Sequence, residues 1–291
     1  MKPVAFDYRR ATSVAEACAM LAGNPAALLI AGGQSLMPML AMRLARPTLV
    51  VDILRIPELD RIELMEHHIT FGATTRQVTV ERSRTVAESL PLLARAMPWI
   101  GHPPTRRRGT VGGSIANADP TAEIALVAVA LGAEVLLAGT PGGAASVRAE
   151  DFFLGPMVTA LPPGAMITGL RFARRADRRG VGTGFVEVAQ RHGDYALAAA
   201  AAEIALDAAG HCRALHLGVG GATVTPVRLD LAALLGRRLA EPEVTAAVAA
   251  AMAPMDMLED QHASGRYRRR AAQALAVRAV LQACDDARGR T

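Results

Sequence analysis

Residues 106–123 read RRRGTVGGSIANADPTAE. Three arginines run into a glycine pair, a string of small polar residues, an Asp-Pro step and a glutamate, in a chain otherwise rich in Ala, Leu and Val. A second stretch, IAGGQSLMP at 30–38, has the same character: an apolar run, then Gly32–Gly33, then Gln34 and Ser35. A glycine pair after a strand lets backbone N–H groups approach an anion with no Cβ in the way. Either pair alone is explained by turn formation. Two, each flanked by Ser/Thr and Asn/Gln, fit a diphosphate held between two loops.

The end of the first stretch extends the argument. Asp119 is a good N-cap and Pro120 suits the first helical position, so a helix is expected over 120–131, its positive end beside the second glycine pair. Glu123 would lie in its first turn, where it either complements the helix dipole or accepts hydrogen bonds from ribose hydroxyls. The common nucleotide fingerprints do not fit. G-x-G-x-x-G is absent, GVGGAT at 218–223 having Thr where the third glycine belongs, and G-x-x-x-x-G-K-[ST] is absent too. A diphosphate-bearing ligand on neither a Rossmann nor a P-loop domain is the reading left.

The bulk numbers bound the classes. At 291 residues the chain has room for two domains, and with 51% hydrophobic and 20% charged residues it can bury real cores. Only 3% of residues are aromatic, which suits base stacking poorly. The net charge of +5 comes from Arg with no helix-turn-helix, zinc-finger or ribonucleoprotein pattern, so an anionic cofactor or acidic partner is expected rather than nucleic acid. Cys18, Cys212 and Cys284 are too few and too scattered for a four-cysteine metal site, and fit a reducing cytoplasm. MKPVAFDYRR lacks a signal-peptide core, and Ile124–Leu131 is too short to cross a bilayer, so a cytoplasmic location without transmembrane segments is expected.

Along the chain, 12–23 reads as a short helix, 27–33 and 48–53 as strands, and HHITFGATTRQV at 67–78 as a further strand and turn. Residues 84–97 read as one helix ended by Pro98, and 134–139 as a strand. ARRADRRGVGTG at 173–184 is charged, glycine-rich and without apolar periodicity, which marks a domain boundary. Beyond it come short strands, then helices from Leu229 onward with a break near Pro254–Asp256.

Six stretches, in this order, carry a resemblance: AGGQSLMP (31–38), RGTVGGSIANADPTAE (108–123), DFFLGPMVTAL (151–161), QRHGDYALAAAA (190–201), LGVGGATVTPVRL (217–229) and HASGRYRRRAA (262–272). The chain resembles the FAD-binding medium subunit of the molybdenum hydroxylases, as in aerobic carbon monoxide dehydrogenase and xanthine dehydrogenase. The resemblance implies an α+β fold. Residues 1–177 would form a vanillyl-alcohol-oxidase (PCMH)-type FAD domain, in subdomains of about 1–55 and 56–177. Residues 178–291 would form a C-terminal domain with a three-stranded antiparallel sheet and a helical bundle. It implies an electron-transfer subunit that binds FAD and works with a large molybdopterin subunit and a small [2Fe-2S] subunit, in a dimer of heterotrimers. By the same likeness the cofactor is lined by Ile30, Ala31, Gly32, Gly33, Gln34, Ser35, Leu36, Thr110, Gly112, Gly113, Ser114, Ala116, Asn117, Glu123, Leu161 and Ile167. No side chain of this chain is expected to be catalytic in the strict sense, and no metal site is expected.

Two departures from the family pattern stand out. Where relatives read roughly I-R-N-R-G-T, residues 105–110 read TRRRGT, and Val186 falls where xanthine-oxidising members have a lysine near the flavin. Arg106–Arg108 are read as structural for two of the three, and Arg268–Arg270 as a solvated helix face or a dock for an acidic neighbour. Asp194 is read as a turn former before an acid–base partner of His192. Two rival functions remain: a free-standing flavin oxidoreductase with its own organic substrate, and a non-catalytic scaffold whose glycines only make turns.

Overall fold

The computed structural model describes residues 2–174 and 178–289. The boundary expected at residue 177 lies outside the described residues. The chain opens with strand β1 (Asp7–Arg10), helix α1 (Val14–Gly23), β2 (Ala27–Ile30), α2 (Leu36–Ala41) and β3 (Leu49–Asp52). Ser13 starts α1 by accepting the Glu16 amide at 3.1 Å. The three strands form a parallel sheet in the order β1–β3–β2, so β2 delivers residues 31–35 to one end of that sheet.

A five-stranded antiparallel sheet follows, in the order β4 (Ile62–Leu64), β5 (His68–Gly72), β10 (Met166–Ala173), β6 (Glu134–Thr140), β7 (Gly143–Arg148). Between β5 and β6 run six short helices: α3 (Gln77–Arg82), α4 (Arg84–Ser89), α5 (Pro91–Ala96), α6 (Pro103–Arg108), α7 (Val111–Asn117) and α8 (Glu123–Leu131). The single helix expected over 84–97 is two. Leu90 takes an extended φ of −141°, and Pro91 starts a new helix because its ring cannot continue the old one. Helix α9 (Ala149–Phe152) and the hairpin β8 (Phe153–Gly155) and β9 (Val158–Thr159) complete this part.

The C-terminal part is a four-stranded antiparallel meander, β11 (Val181–Val188), β12 (Ala198–Leu206), β13 (Cys212–Gly220) and β14 (Val227–Arg228), with helices α10 (Glu241–Met252) and α11 (Gly265–Arg288). Three strands were expected. The fourth is only two residues long and follows a turn-rich stretch, too short to show an alternating pattern. All nine residues of β12 are buried, and their alternation explains its alanines. Ala199 and Ala201 belong to the first core and Ala198, Ala200 and Ala202 to the second, so the strand is sandwiched on both faces. Helix α11 approaches β11 closely enough that a Cβ on Gly184 would collide with the Ala279 carbonyl.

Helix α8 is apolar on every side because it is enclosed between the two parts. Ile124 to Ala130 are all buried, and a Cβ on Gly218 in β13 would lie 2.9 Å from Ala130 Cβ. Among the described residues no helix is long and apolar enough to cross a membrane.

Candidate functional site

The two glycine stretches, 76 positions apart in sequence at Gly32 and Arg108, are in contact. A Cβ on Gly32 would collide with the Arg108 carbonyl oxygen and stand 2.9 Å from Gly109 Cα. Arg76 ties the second segment down by donating to the Arg108 carbonyl, and the Gln77 amide donates to the Gly109 carbonyl at 3.0 Å. Gly33 adopts φ +70°, a left-handed conformation that bends the chain out of β2 and that a side chain disfavours. Among the described residues, the N–H groups of Gly32, Gly33, Gln34, Ser35 and Leu36 have no protein acceptor. A run of free amides at a bend is a ready anion cradle. Gln34 and Ser35 are exposed beside it, with Gln34 Nε2 donating back to the Gly32 carbonyl at 3.2 Å.

The second glycine pair is not a loop. Gly112 and Gly113 lie in the first turn of α7, capped by Thr110, whose hydroxyl accepts the Gly113 amide at 3.1 Å. The Val111 and Gly112 amides donate to Thr75 and Ala73 at 3.0 and 2.9 Å, and Ser114 N–H to Thr110 O. Those amides are therefore already satisfied, and Gly112 is a glycine because a Cβ would stand 2.6 Å from Ala73 Cβ. What α7 offers instead is a face: Gly113, Ala116 and Asn117, at helical spacing, are turned outward, with Ser114 half-buried beside them. The expected helix start at Pro120 is also displaced. Asp119 caps a turn, accepting the Thr121 amide and hydroxyl at 2.9 and 2.7 Å, and α8 begins at Glu123.

Glu123 stands at the joint between the two parts. Burial, above all, and the charge of Asp119 push its carboxyl up to about 7, against the opposing pull of its own amide and of Arg106. On β11, within electrostatic reach of it, is Glu187, pushed up to about 9 by burial first and by Glu123 second. Both carboxylate oxygens of Glu187 are buried without a hydrogen-bond partner among the described residues. The sequence reading passed over Glu187 and singled out Val186 next to it. Val186 packs against the second core, away from the first part, while Phe185 belongs to the first core, so the strand's alternation turns Glu187 with Phe185 toward the first part. An acid at the inward position of GFVEV was the available signal.

The other expectations divide. Leu161 is half-buried against the first core and Ile167 is 5% exposed within it. Arg106 is structural: it forms a two-pronged pair with Glu81, both contacts 2.9 Å, and caps the Ile100 and Gly101 carbonyls at 2.9 and 3.0 Å. Arg107 and Arg108 are exposed. Arg268, expected on a solvated face, is buried, donating to the carbonyls of Leu197 (2.9 Å) and Gly221 (2.7 Å) and to Asp260 (2.6 Å). Asp194 pairs with Arg191 at 3.1 Å in a turn, while His192 packs edge-on against Trp99. Among the described residues no three His, Cys, Asp or Glu gather as a metal site.

Residues 4–173 match a family profile described as the FAD-binding domain in molybdopterin dehydrogenase, and 184–283 one described as the CO dehydrogenase flavoprotein C-terminal domain. The chain belongs to the FAD-binding subunits of the molybdopterin dehydrogenases. The alpha subunit of the 6-hydroxypseudooxynicotine dehydrogenase complex of Paenarthrobacter nicotinovorans is 37% identical, over 99% of this chain and 97% of its own. The carbon monoxide dehydrogenase medium chain of Afipia carboxidovorans is 34% identical, over 97% and 98%. The carbon monoxide dehydrogenase structure from Hydrogenophaga pseudoflava superposes with a TM-score of 0.93 at 34% identity, over 98% of this chain and 99% of that one. As a member of this family the protein is the flavoprotein component of a molybdopterin-dependent dehydrogenase, an oxidoreductase whose cofactor is FAD.

The residues present fit that cofactor. Five free amides at a left-handed bend suit a diphosphate, a helix face of Gly, Ala and Asn admits a flat or extended group, and an orphaned buried carboxyl suits hydroxyl donors.

Proposed function

We propose that this chain is the electron-transfer medium subunit of a heterotrimeric molybdenum hydroxylase, with FAD lying between residues 30–36 and α7. When bound, FAD supplies the redox chemistry, drawing electrons from [2Fe-2S] centres on a small partner subunit and passing them to an external acceptor. Substrate oxidation belongs to a large molybdopterin subunit, and the whole assembles as a dimer of heterotrimers. Residues 1–177 make the PCMH-type FAD-binding domain and 178–291 the second domain, and the assembly works in the cytoplasm.

The chain's own residues bind and orient. The amides of Gly32 to Leu36 take the diphosphate, with Ile30 and Ala31 forming the floor from which the bend rises. On the other side Thr110 sets the start of α7, and Gly112 lets that helix seat against Ala73. Gly113, Ser114, Ala116 and Asn117 present the small, polar face toward the cofactor. Glu123 receives a sugar hydroxyl, and Leu161 and Ile167 back the crevice with apolar surface. The contact of Gly32 with Arg108 and Gly109 is the observation that carries this reading, because it makes one crevice from two distant stretches.

Purification of the full chain together with its partner subunits tests it. The expected preparation is yellow, releases one FAD per chain on denaturation, and contains one larger and one smaller iron–sulfur polypeptide. A colourless protein would point to a scaffold, and a yellow protein that turns over an organic substrate alone would point to a free-standing oxidoreductase.

A further inference from the structure

Arg76 touches both sides of the crevice, and no carboxylate neutralises it. It lies in the turn between β5 and α3. Its backbone faces Thr110 in an isolated antiparallel bridge. On either side of that bridge the Val111 amide donates to the Thr75 carbonyl and the Gln77 amide to the Gly109 carbonyl, both at 3.0 Å. The side chain reaches two residues farther back, where Nη1 donates to the Arg108 carbonyl. That carbonyl oxygen is the atom a Cβ on Gly32 would strike. One residue is thus fixed at the start of α7 by its backbone and at the seam with the 32–36 bend by its guanidinium.

The tie explains the position but not the charge. Arg76 is half-buried, and among the described residues it makes no ion pair. Glu81, the one acid of α3, is held by Arg106 at 2.9 Å. Arg107 and Arg108 on the adjoining segment add two exposed cations that make no ion pair there either. A guanidinium keeps its charge at every working pH, and holding one carbonyl uses one of its five donors. Arg76 Nε and Nη2 make no hydrogen bond among the described residues and are not sealed from solvent. Beside them stand the five amides of Gly32 to Leu36, which have no protein acceptor. A partly desolvated cation with unused donors, next to free amides, suits an anion of more than one charge.

We propose that Arg76 is the countercharge of the cofactor's diphosphate: Nε and Nη2 donate to phosphate oxygens while Nη1 holds the Arg108 carbonyl. The inference rests on the FAD crevice proposed above and adds the net charge that backbone amides lack. It separates from a purely structural tie through ionic strength. Salt screens a cation–anion contact at a partly open site, whereas it leaves a hydrogen bond to a carbonyl and the packing of Gly32 unchanged. Cofactor affinity therefore falls as salt rises, and most of that dependence belongs to Arg76.

The test is FAD titration of the deflavinated full chain by flavin fluorescence, at low salt and at about tenfold higher salt. The comparison is between wild type, Arg76→Lys, Arg76→Gln and Arg82→Gln. Arg82, exposed at the other end of α3, removes the same charge away from the crevice. At low salt Arg76→Gln is expected to bind FAD about 30-fold more weakly than wild type, the loss of a charge-assisted hydrogen bond. Lys keeps the charge and loses the fork, so about a fivefold loss is expected. Wild-type affinity is expected to fall about tenfold on adding salt, and that of Arg76→Gln about twofold. Arg82→Gln is expected to stay within about twofold of wild type at both salt levels. Equal binding by wild type and Arg76→Gln would overturn the role of Arg76 and leave the crevice intact. A weakened Arg76→Gln that keeps the full salt dependence would also overturn it, since Arg76 would then only hold the two walls together. Loss in Arg82→Gln as large as in Arg76→Gln would do the same, by tracing the effect to overall charge. A wild-type chain that binds no FAD would overturn the crevice itself and this proposal with it.

Discussion

At position 32 the backbone lies so close to the Arg108 carbonyl that one added carbon must push apart the two segments bordering the crevice. Gly32→Ala is therefore expected to destabilise the protein by about 2 kcal/mol, an overpacking cost, and to weaken FAD retention about tenfold because the bend at 32–36 shifts. Urea unfolding and flavin content of the purified protein measure the two effects. Gly23→Ala is the control, since nothing lies within 4 Å of a Cβ there, and it should be neutral or slightly stabilising. Arg106 makes a second case in which one residue holds a loop. Its guanidinium serves Glu81 with two donors and the Ile100 and Gly101 carbonyls with a third nitrogen. Arg106→Ala should cost about 3 kcal/mol by stranding a partly buried carboxylate and two carbonyls, and Arg106→Lys should restore little, because an ammonium cannot reproduce the fork. Equal stability of the Lys variant and wild type in denaturant melts would show that charge alone suffices.

Among the elements, α7 shows where the sequence was legible and where it was not. Thr-x-x-Gly at 110–113 marks a helix start as readily as a loop, and the glycine pair hid it, because glycines ordinarily weaken a helix. Packing overrides that propensity. Gly112 must touch Ala73, and the amides that looked available are consumed by Thr75, Ala73 and Thr110. The stretch at 30–36 read correctly as strand, bend and free amides, since glycine in a left-handed bend leaves a local signature. The helix at 84–97 was misjudged because its apolar spacing continues through Pro91, and the short β14 carried no pattern at all. Glu187 was missed for a different reason: its carboxyl is shut off from solvent by tertiary packing, which no local pattern reports. Thr110→Ala isolates the capping contribution of α7. The hydroxyl that accepts the Gly113 amide is lost, so a stability decrease of about 1 kcal/mol is expected, with faster amide exchange at Gly113 than at Ile115. Unchanged exchange at Gly113 would mean the turn is held by Ala73 and Thr75 alone.

Across the whole molecule, two cores share β12, α8 of the first packs on β13 of the second, and among the polar contacts that cross between them one joins three elements. Arg95 on α5 pairs with Asp286 on α11 at 3.0 Å and donates to the Thr183 hydroxyl at 2.9 Å, while the Thr183 amide donates to Asp286 at 2.9 Å. Three elements from two cores thus meet at one partly buried ion pair. Its strength can be judged against Arg84–Glu88, an exposed helical pair at 2.6 Å whose charges are mostly solvated. An exposed pair of that kind is screened by solvent and contributes little, whereas Arg95→Ala also removes a hydrogen bond and should cost about 2 kcal/mol. The larger consequence concerns cooperativity. With the junction intact the two cores unfold together, so calorimetry should give one transition with matching calorimetric and van't Hoff enthalpies. In Arg95→Ala the coupling falls to the apolar contacts of α8 and β12 and to lesser polar contacts such as Arg178 with the Ser89 carbonyl and the Gly221 amide with the Pro120 carbonyl, and the transition should broaden or split, with the van't Hoff enthalpy falling below the calorimetric one. Arg84→Ala should leave the transition unchanged. If Arg95→Ala melts as one sharp transition, shifted no more than Arg84→Ala, then those remaining contacts make the molecule a single cooperative unit.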